Sequence, residues 1–385
     1  MSLSYASHVR TAIVAGAISA ALVLAACSTS PSANDKGAGS AASGGDVPAA
    51  KALVEKASGP VSFNDPGGPV GVSRFAGKTI WVITSDYSVP FIQAIVRNMK
   101  DAAQVAGLKL QVYDGKGVTQ TAANGIQQAV GAGAAAITII SVNTQYVASA
   151  VKGANDAKIP VVGILSTDAH QPIEKGAAAE VTIDYALSGK ELVAYSVANT
   201  NGPVSGFFLT LPSIATFDAM KQGVKDGFSQ FCSSKCKINI ANLTEGNFKN
   251  ETQSNTASAL LRYPDTNWVF PAIDAMAQFA IPSIVTAGKA KSVHLGSINA
   301  FEANLKFIVQ GNVQSVDVGN SNSWLGWAAI DRTLRAMAGE PPSVVTVPVR
   351  LFDKNNLKGI DISDESKLFP GVDFRPKYKK LWGVS

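Results

Sequence analysis

Histidine and cysteine are scarce in this chain, three of each among 385 residues, and only 16% of the residues are charged. No His-x-x-x-His or Glu-x-x-His spacing occurs, so the helical zinc-ligand patterns are excluded and neither a metal nor another cofactor is expected. There is no Gly-x-Ser-x-Gly nucleophile elbow. Gly77-Lys78-Thr79 looks like the end of a phosphate loop, but Val72 stands where the first glycine belongs and the segment precedes a strand when it should follow one. With no catalytic constellation, the chain reads as a non-enzyme. The net charge is only +5, and its one basic cluster, Arg375, Lys377, Lys379 and Lys380, reads as solvated surface, so no nucleic-acid partner is expected.

Only one long apolar run is present. Arg10 precedes an uncharged stretch from Thr11 to Ala26, about the length of a signal-peptide core and short for a spanning helix. It ends in Leu24-Ala25-Ala26-Cys27, which resembles the lipobox of bacterial lipoproteins. Residues 1–26 are therefore expected to be a signal peptide, with Cys27 as the lipidated residue. An ordinary signal peptide and a short membrane anchor are the competing readings. Residues 27–50 are rich in Ser, Ala, Gly and Pro and read as a flexible, lipid-anchored tether, followed by a lead-in segment over 51–76, with a short helix expected over Ala49–Ala57. The mature chain is expected outside the cytoplasm, on the outer face of the cell membrane, as a monomer. In that compartment Cys232 and Cys236, four residues apart, are expected to pair as a disulfide; a metal site is the alternative, but no further ligands lie nearby.

The body of the chain alternates between two patterns. Thr79–Thr84 is a β-branched apolar run typical of a strand buried on both faces, followed by a polar turn and by a helix opening at Pro90. Phe91, Ile92, Ile95, Val96, Met99, Ala102 and Ala103 then recur at helical spacing. Similar strand and helix units continue to about Val349, and a more irregular tail begins at Leu351. About eleven strands are too many for one ordinary sheet, so the fold class is α/β with two doubly wound, Rossmann-like lobes. Ligands in such sheets bind off the carboxyl ends of the strands, which places Ser85–Phe91 at a binding site.

The ordered motifs Val89-Pro90-Phe91, Asp114-Gly115, Gly125-Ile126-Gln127-Gln128-Ala129, Ala157-Lys158-Ile159-Pro160, Gly227-Phe228 and Asp274-Ala275-Met276-Ala277 resemble those of type 1 periplasmic substrate-binding proteins of the ribose-binding kind. The resemblance spans roughly residues 77–350. It implies a three-strand hinge with crossings near Asp184, Gly319 and Val349. The amino-terminal lobe is then 77–184 plus 320–349, and the carboxy-terminal lobe 185–319 plus 350–385. It also implies a small-molecule ligand and the permease subunits of an ABC importer as partners. A sensor subunit for a membrane kinase or chemoreceptor, and an enzyme on a similar scaffold, are the alternatives.

In that family aromatic rings sandwich a sugar and polar side chains bind its hydroxyls, which carries over to Phe91 and Phe248. Other positions depart: Val89, Ile92, Leu165 and Ile273 stand where polar or aromatic contacts would be. The ligand is therefore expected to be a sugar or a less hydroxylated, more apolar cyclic compound. Its candidate contacts are Asp86, Tyr87, Ser88, Phe91, Ser166, Asp168, Phe248, Asp274, Asn299, Asn320 and Trp324.

Overall fold

The computed structural model describes residues 45–384. The expected signal peptide, Cys27 and most of the tether lie outside these residues. Chain order runs α1 (Val47–Ser58), β1 (Thr79–Thr84), α2 (Pro90–Val105), β2 (Lys109–Asp114), α3 (Thr119–Gly131), β3 (Ala136–Ile140), α4 (Ala148–Asp156), β4 (Val161–Ile164) and β5 (Ala179–Thr182). Then come α5 (Tyr185–Asn199), β6 (Ser205–Thr210), α6 (Ala215–Phe231), β7 (Lys237–Asn242), α7 (Phe248–Arg262), β8 (Trp268–Pro271), α8 (Asp274–Thr286), β9 (His294–Ile298), α9 (Glu302–Gln310) and β10 (Gln314–Asn320). The last elements are α10 (Asn322–Met337), β11 (Val344–Thr346), β12 (Val349–Asp353), α11 (Glu365–Leu368) and α12 (Phe374–Trp382).

The strands form two six-stranded sheets, in the orders β11-β5-β4-β3-β1-β2 and β12-β10-β9-β8-β6-β7. Every pairing is parallel except β10 with β12. β3 and β4 are buried along their whole length, as expected of strands covered by helices on both faces. The chain passes from one lobe to the other after β5, after β10 and after β11. Helix contacts are correspondingly close. A Cβ on Gly223 would lie 1.8 Å from the Ala186 carbonyl oxygen, so α5 and α6 reach their observed separation only with glycine there.

Both chain ends depart from the sequence expectation. Residues assigned to the tether up to position 50 include the first turn of α1. Asp46 caps this helix by accepting from Ala49 N at 2.9 Å, Pro48 sits in its first turn, and Ala50 is fully buried. α1 packs on α5 and β12 of the second lobe, and the following segment crosses to the first. There Arg335 Nη2 donates to the Gly68 carbonyl at 2.7 Å, and Phe63 stacks on Trp324 at 5.5 Å. The tail is not irregular throughout, nor does it stay with the second lobe. α12 lies on α10 of the first lobe, where Trp382 stacks on Trp327 at 5.3 Å and donates its Nε1–H to Asp331 at 2.9 Å.

Cys232 follows the end of α6 and Cys236 precedes β7. Both are free thiols in the structure, so the expected bridge is not formed in it. Cys236 Sγ accepts from Val204 N at 3.3 Å, and burial together with contact to Cys236 pushes the Cys232 thiol up.

Candidate functional site

A narrow cavity, with about 40 Å³ of free volume, lies where the carboxyl ends of both sheets meet. From the first lobe it takes Ser85, Asp86, Val89, Phe91 and Ile92 around the start of α2, and Ser141 at the end of β3. The second lobe supplies Tyr185 on α5, Leu211 and Ile214 between β6 and α6, Phe217 in the first turn of α6, and Glu245 and Phe248 around the start of α7. Ile273 follows β8 and Asn299 follows β9. A larger depression, of about 1140 Å³, lies at the opposite, amino-terminal ends of the first sheet, lined by residues such as Lys78, Thr79 and Ala135. It is a broad surface hollow on one lobe, whereas the smaller cavity is walled by both and is the better-formed site.

Its walls are mostly apolar. Phe91 and Phe248 are both buried, and their rings meet Phe301 and Phe279 edge-on at 6.3 and 6.4 Å. Val89, Ile92 and Ile273, where the sequence departs from the sugar-binding pattern, all line the cavity. The polar lining is sparse. Asp86 Oδ1 accepts from Ser88 N at 2.8 Å, and Glu245 Oε2 accepts from Ser213 Oγ at 2.9 Å. Burial raises the Glu245 carboxyl above its ordinary value and the nearby Asp86 charge adds to the shift. Asn299 is 2% exposed, and neither its Oδ1 nor its Nδ2 has a partner. A buried amide with both atoms unpaired is costly, and a bound molecule is one way to satisfy it.

Four of the sequence candidates, Asp86, Phe91, Phe248 and Asn299, line this cavity. The other seven do not. Tyr87 and Ser88 belong to the turn before α2: Tyr87 N donates to Asp114 Oδ1 at 2.9 Å, and Ser88 is exposed. Ser166 N donates to Glu180 Oε1 at 2.8 Å, fixing the loop after β4. Asp168 Oδ1 accepts from Tyr185 N at 2.7 Å and so helps cap α5. Asp274 is buried behind the wall, accepting from Phe301 N at 2.7 Å. Asn320 sits on the hinge strand β10 opposite Val349, its Nδ2 3.4 Å from Asn322 Oδ1. Trp324 faces away from the cleft, between Phe63 and Phe374, with its Nε1–H directed to Tyr378 at 3.3 Å.

Sequence reading missed Ser85, Ser141, Tyr185, Leu211, Ile214, Phe217 and Glu245 as individual contacts. Ser141 and Leu211 each directly follow a strand, so the strand-end rule already applied to Ser85–Phe91 reaches them too. Glu245 is three residues before Phe248 in the same turn.

Among the described residues, no group of three or more His, Cys, Asp or Glu is placed to hold a metal ion, and no helix is long and apolar enough to cross a membrane.

Residues 80–341 match the family described as periplasmic binding protein domain. The ribose import binding protein of Salmonella typhimurium is 28% identical over 229 residues, covering 59% of this chain and 74% of that protein. Among solved structures, a 5-methylthioribose transporter solute binding protein from Thermotoga lettingae superposes with a TM-score of 0.70 at 17% identity, covering 82% of this chain and 99% of that one. An ABC transporter solute binding protein from Mycobacterium smegmatis with bound glycerol gives 0.65 at 22% identity, covering 74% and 97%. With two α/β lobes and a family match over most of its length, the chain belongs to the periplasmic binding protein domain family.

Proposed function

We propose that this chain is the extracytoplasmic solute-binding component of an ABC importer, anchored to the outer face of the membrane through a lipid on Cys27. It captures a small molecule between its lobes and hands it to permease subunits. The observation that carries this reading is the cavity walled by both lobes, with Phe91 and Phe248 in its lining and Asn299 unpartnered at its edge. A ligand touching both lobes favours the closed form over the open one by its differential contacts, and the closed surface is what a permease reads. The apolar lining favours a ligand with fewer hydroxyls than a simple sugar, because each unpaired hydroxyl in a buried site costs on the order of 1–3 kcal/mol. No catalytic step is assigned to the cleft.

Mass spectrometry of the purified protein is expected to find a co-purifying small molecule. Its affinity, measured by calorimetry, is expected to fall more than about tenfold in Phe91→Ala and Phe248→Ala with the fold intact. Unchanged affinity in both variants would remove the cleft from the account. Incorporation of labelled fatty acid that persists in Cys27→Ala would remove the anchor.

A further inference from the structure

The charges that line the cavity are of one sign. Asp86 enters from the first lobe, on the turn between β1 and α2. Glu245 enters from the second, on the short turn before α7. No lysine, arginine or histidine is among the lining residues. Neither acid has a cation beside it in the lining. Closing the lobes without a ligand brings these two half-buried carboxyl groups toward one another from opposite sides, and the Asp86 charge already adds to the upward shift of Glu245.

Two further observations point to what relieves it. The lining also carries the rings of Phe91, Phe217 and Phe248, which suit an apolar ligand body. Asn299, buried with both polar atoms free, offers an acceptor to an N–H and a donor to a ligand oxygen. On the reading that this cleft is the ligand site, we propose that its ligand is a small organic cation: a protonated amine on a compact, largely apolar body. The nitrogen sits between Asp86 and Glu245, and the body lies against the phenylalanine rings. The same pair then acts as an electrostatic latch. With the cleft empty, the two acids resist closure; an ammonium between them removes the repulsion and bonds both lobes at once.

The test is calorimetry at pH 7 on the purified full chain with three matched pairs: cyclohexylamine and cyclohexanol, benzylamine and benzyl alcohol, glucosamine and glucose. In at least one pair the amine is expected to bind about tenfold or more tightly than its alcohol, with the preference shrinking to within about threefold in Glu245→Gln. A thermal melt shows that this variant is folded. The proposal is overturned if the alcohols bind as well as the amines, if the preference survives Glu245→Gln, or if no amine binds. Phe248→Ala separates this failure from failure of the cleft itself. If amine and alcohol bind equally and Phe248→Ala weakens both, the cleft stands and only the cation is wrong. If Phe248→Ala leaves binding unchanged, the cleft falls as well.

Discussion

The loops that follow β4 and β9 occupy corresponding places in the two lobes and are both held by buried acids, yet only one of them reaches the cavity. In the first lobe Glu180 takes Ser166 N at 2.8 Å and Thr167 N at 3.3 Å on a single oxygen, and the loop side chains Ser166 and Asp168 bond to protein. In the second lobe two acids share the work: Asp317 accepts from Ala300 N at 2.9 Å and Asp274 from Phe301 N at 2.7 Å. Gln314 donates to Asp317 at 3.1 Å and to Ser297 at 2.9 Å, closing the network. Burial pushes both aspartic acids up, and contact between their carboxyl groups requires a proton on one of them. The result is a loop rigid enough to keep Asn299 at φ 116° and Ala300 at φ 53°, conformations that non-glycine residues rarely adopt. A buried acid near a cleft is therefore no sign of ligand contact by itself. The better marker is the unpartnered side chain that such an acid holds in place.

Three substitutions sharpen or break that contrast. Asp274→Ala has the largest expected effect, because it removes the acceptors for Ser297 and Phe301 and leaves Asp317 without its neighbour. A loss of roughly 3 kcal/mol is expected in urea denaturation, with ligand affinity falling as well because the loop loosens. Asn299→Gly comes next and separates the two properties. Glycine tolerates the backbone angle, so stability should stay within about 1 kcal/mol while affinity drops about tenfold. Equal affinity in this variant would make Asn299 a strained scaffold residue only.

Glu180→Gln is expected to be the mildest. Burial holds the Glu180 carboxyl well above its ordinary value, so its contribution is full at pH below that ordinary value and is lost as pH rises through the folded-state value. The variant should match the parent within about 1 kcal/mol at pH below the ordinary carboxylate value and lack the parent's decline as pH rises above it, as read by urea midpoints across pH. A decline of the same slope in the variant would assign it to other groups.

Much of this was legible in the residues. The β-branched run Thr79–Thr84, Pro90 and the helical spacing from Phe91 mark the first unit, and that unit carries the first-lobe wall of the cavity. Of the apolar departures, Val89, Ile92 and Ile273 line the cavity and Leu165 does not. What stayed hidden depends on partners distant in sequence. Trp324 carries no local sign of whether it faces the cleft, because Phe63 and Phe374, which enclose it, come from opposite ends of the chain. α12 was obscured by its own charge: Phe374, Tyr378 and Trp382 recur every four residues and are buried, but Arg375, Lys377, Lys379 and Lys380 between them read as plain surface. Asp168 and Asp274 are ordinary ligand candidates by residue type, and only their bonds to backbone N–H groups place them in the scaffold.

The central claim is that the lobes close on a solute. Small-angle X-ray scattering of the purified chain, before and after its co-purifying molecule is removed by unfolding, dialysis and refolding, tests it directly. The radius of gyration is expected to rise when the molecule is removed and to fall again when it is added back. Scattering curves that superimpose in all three states would contradict the account.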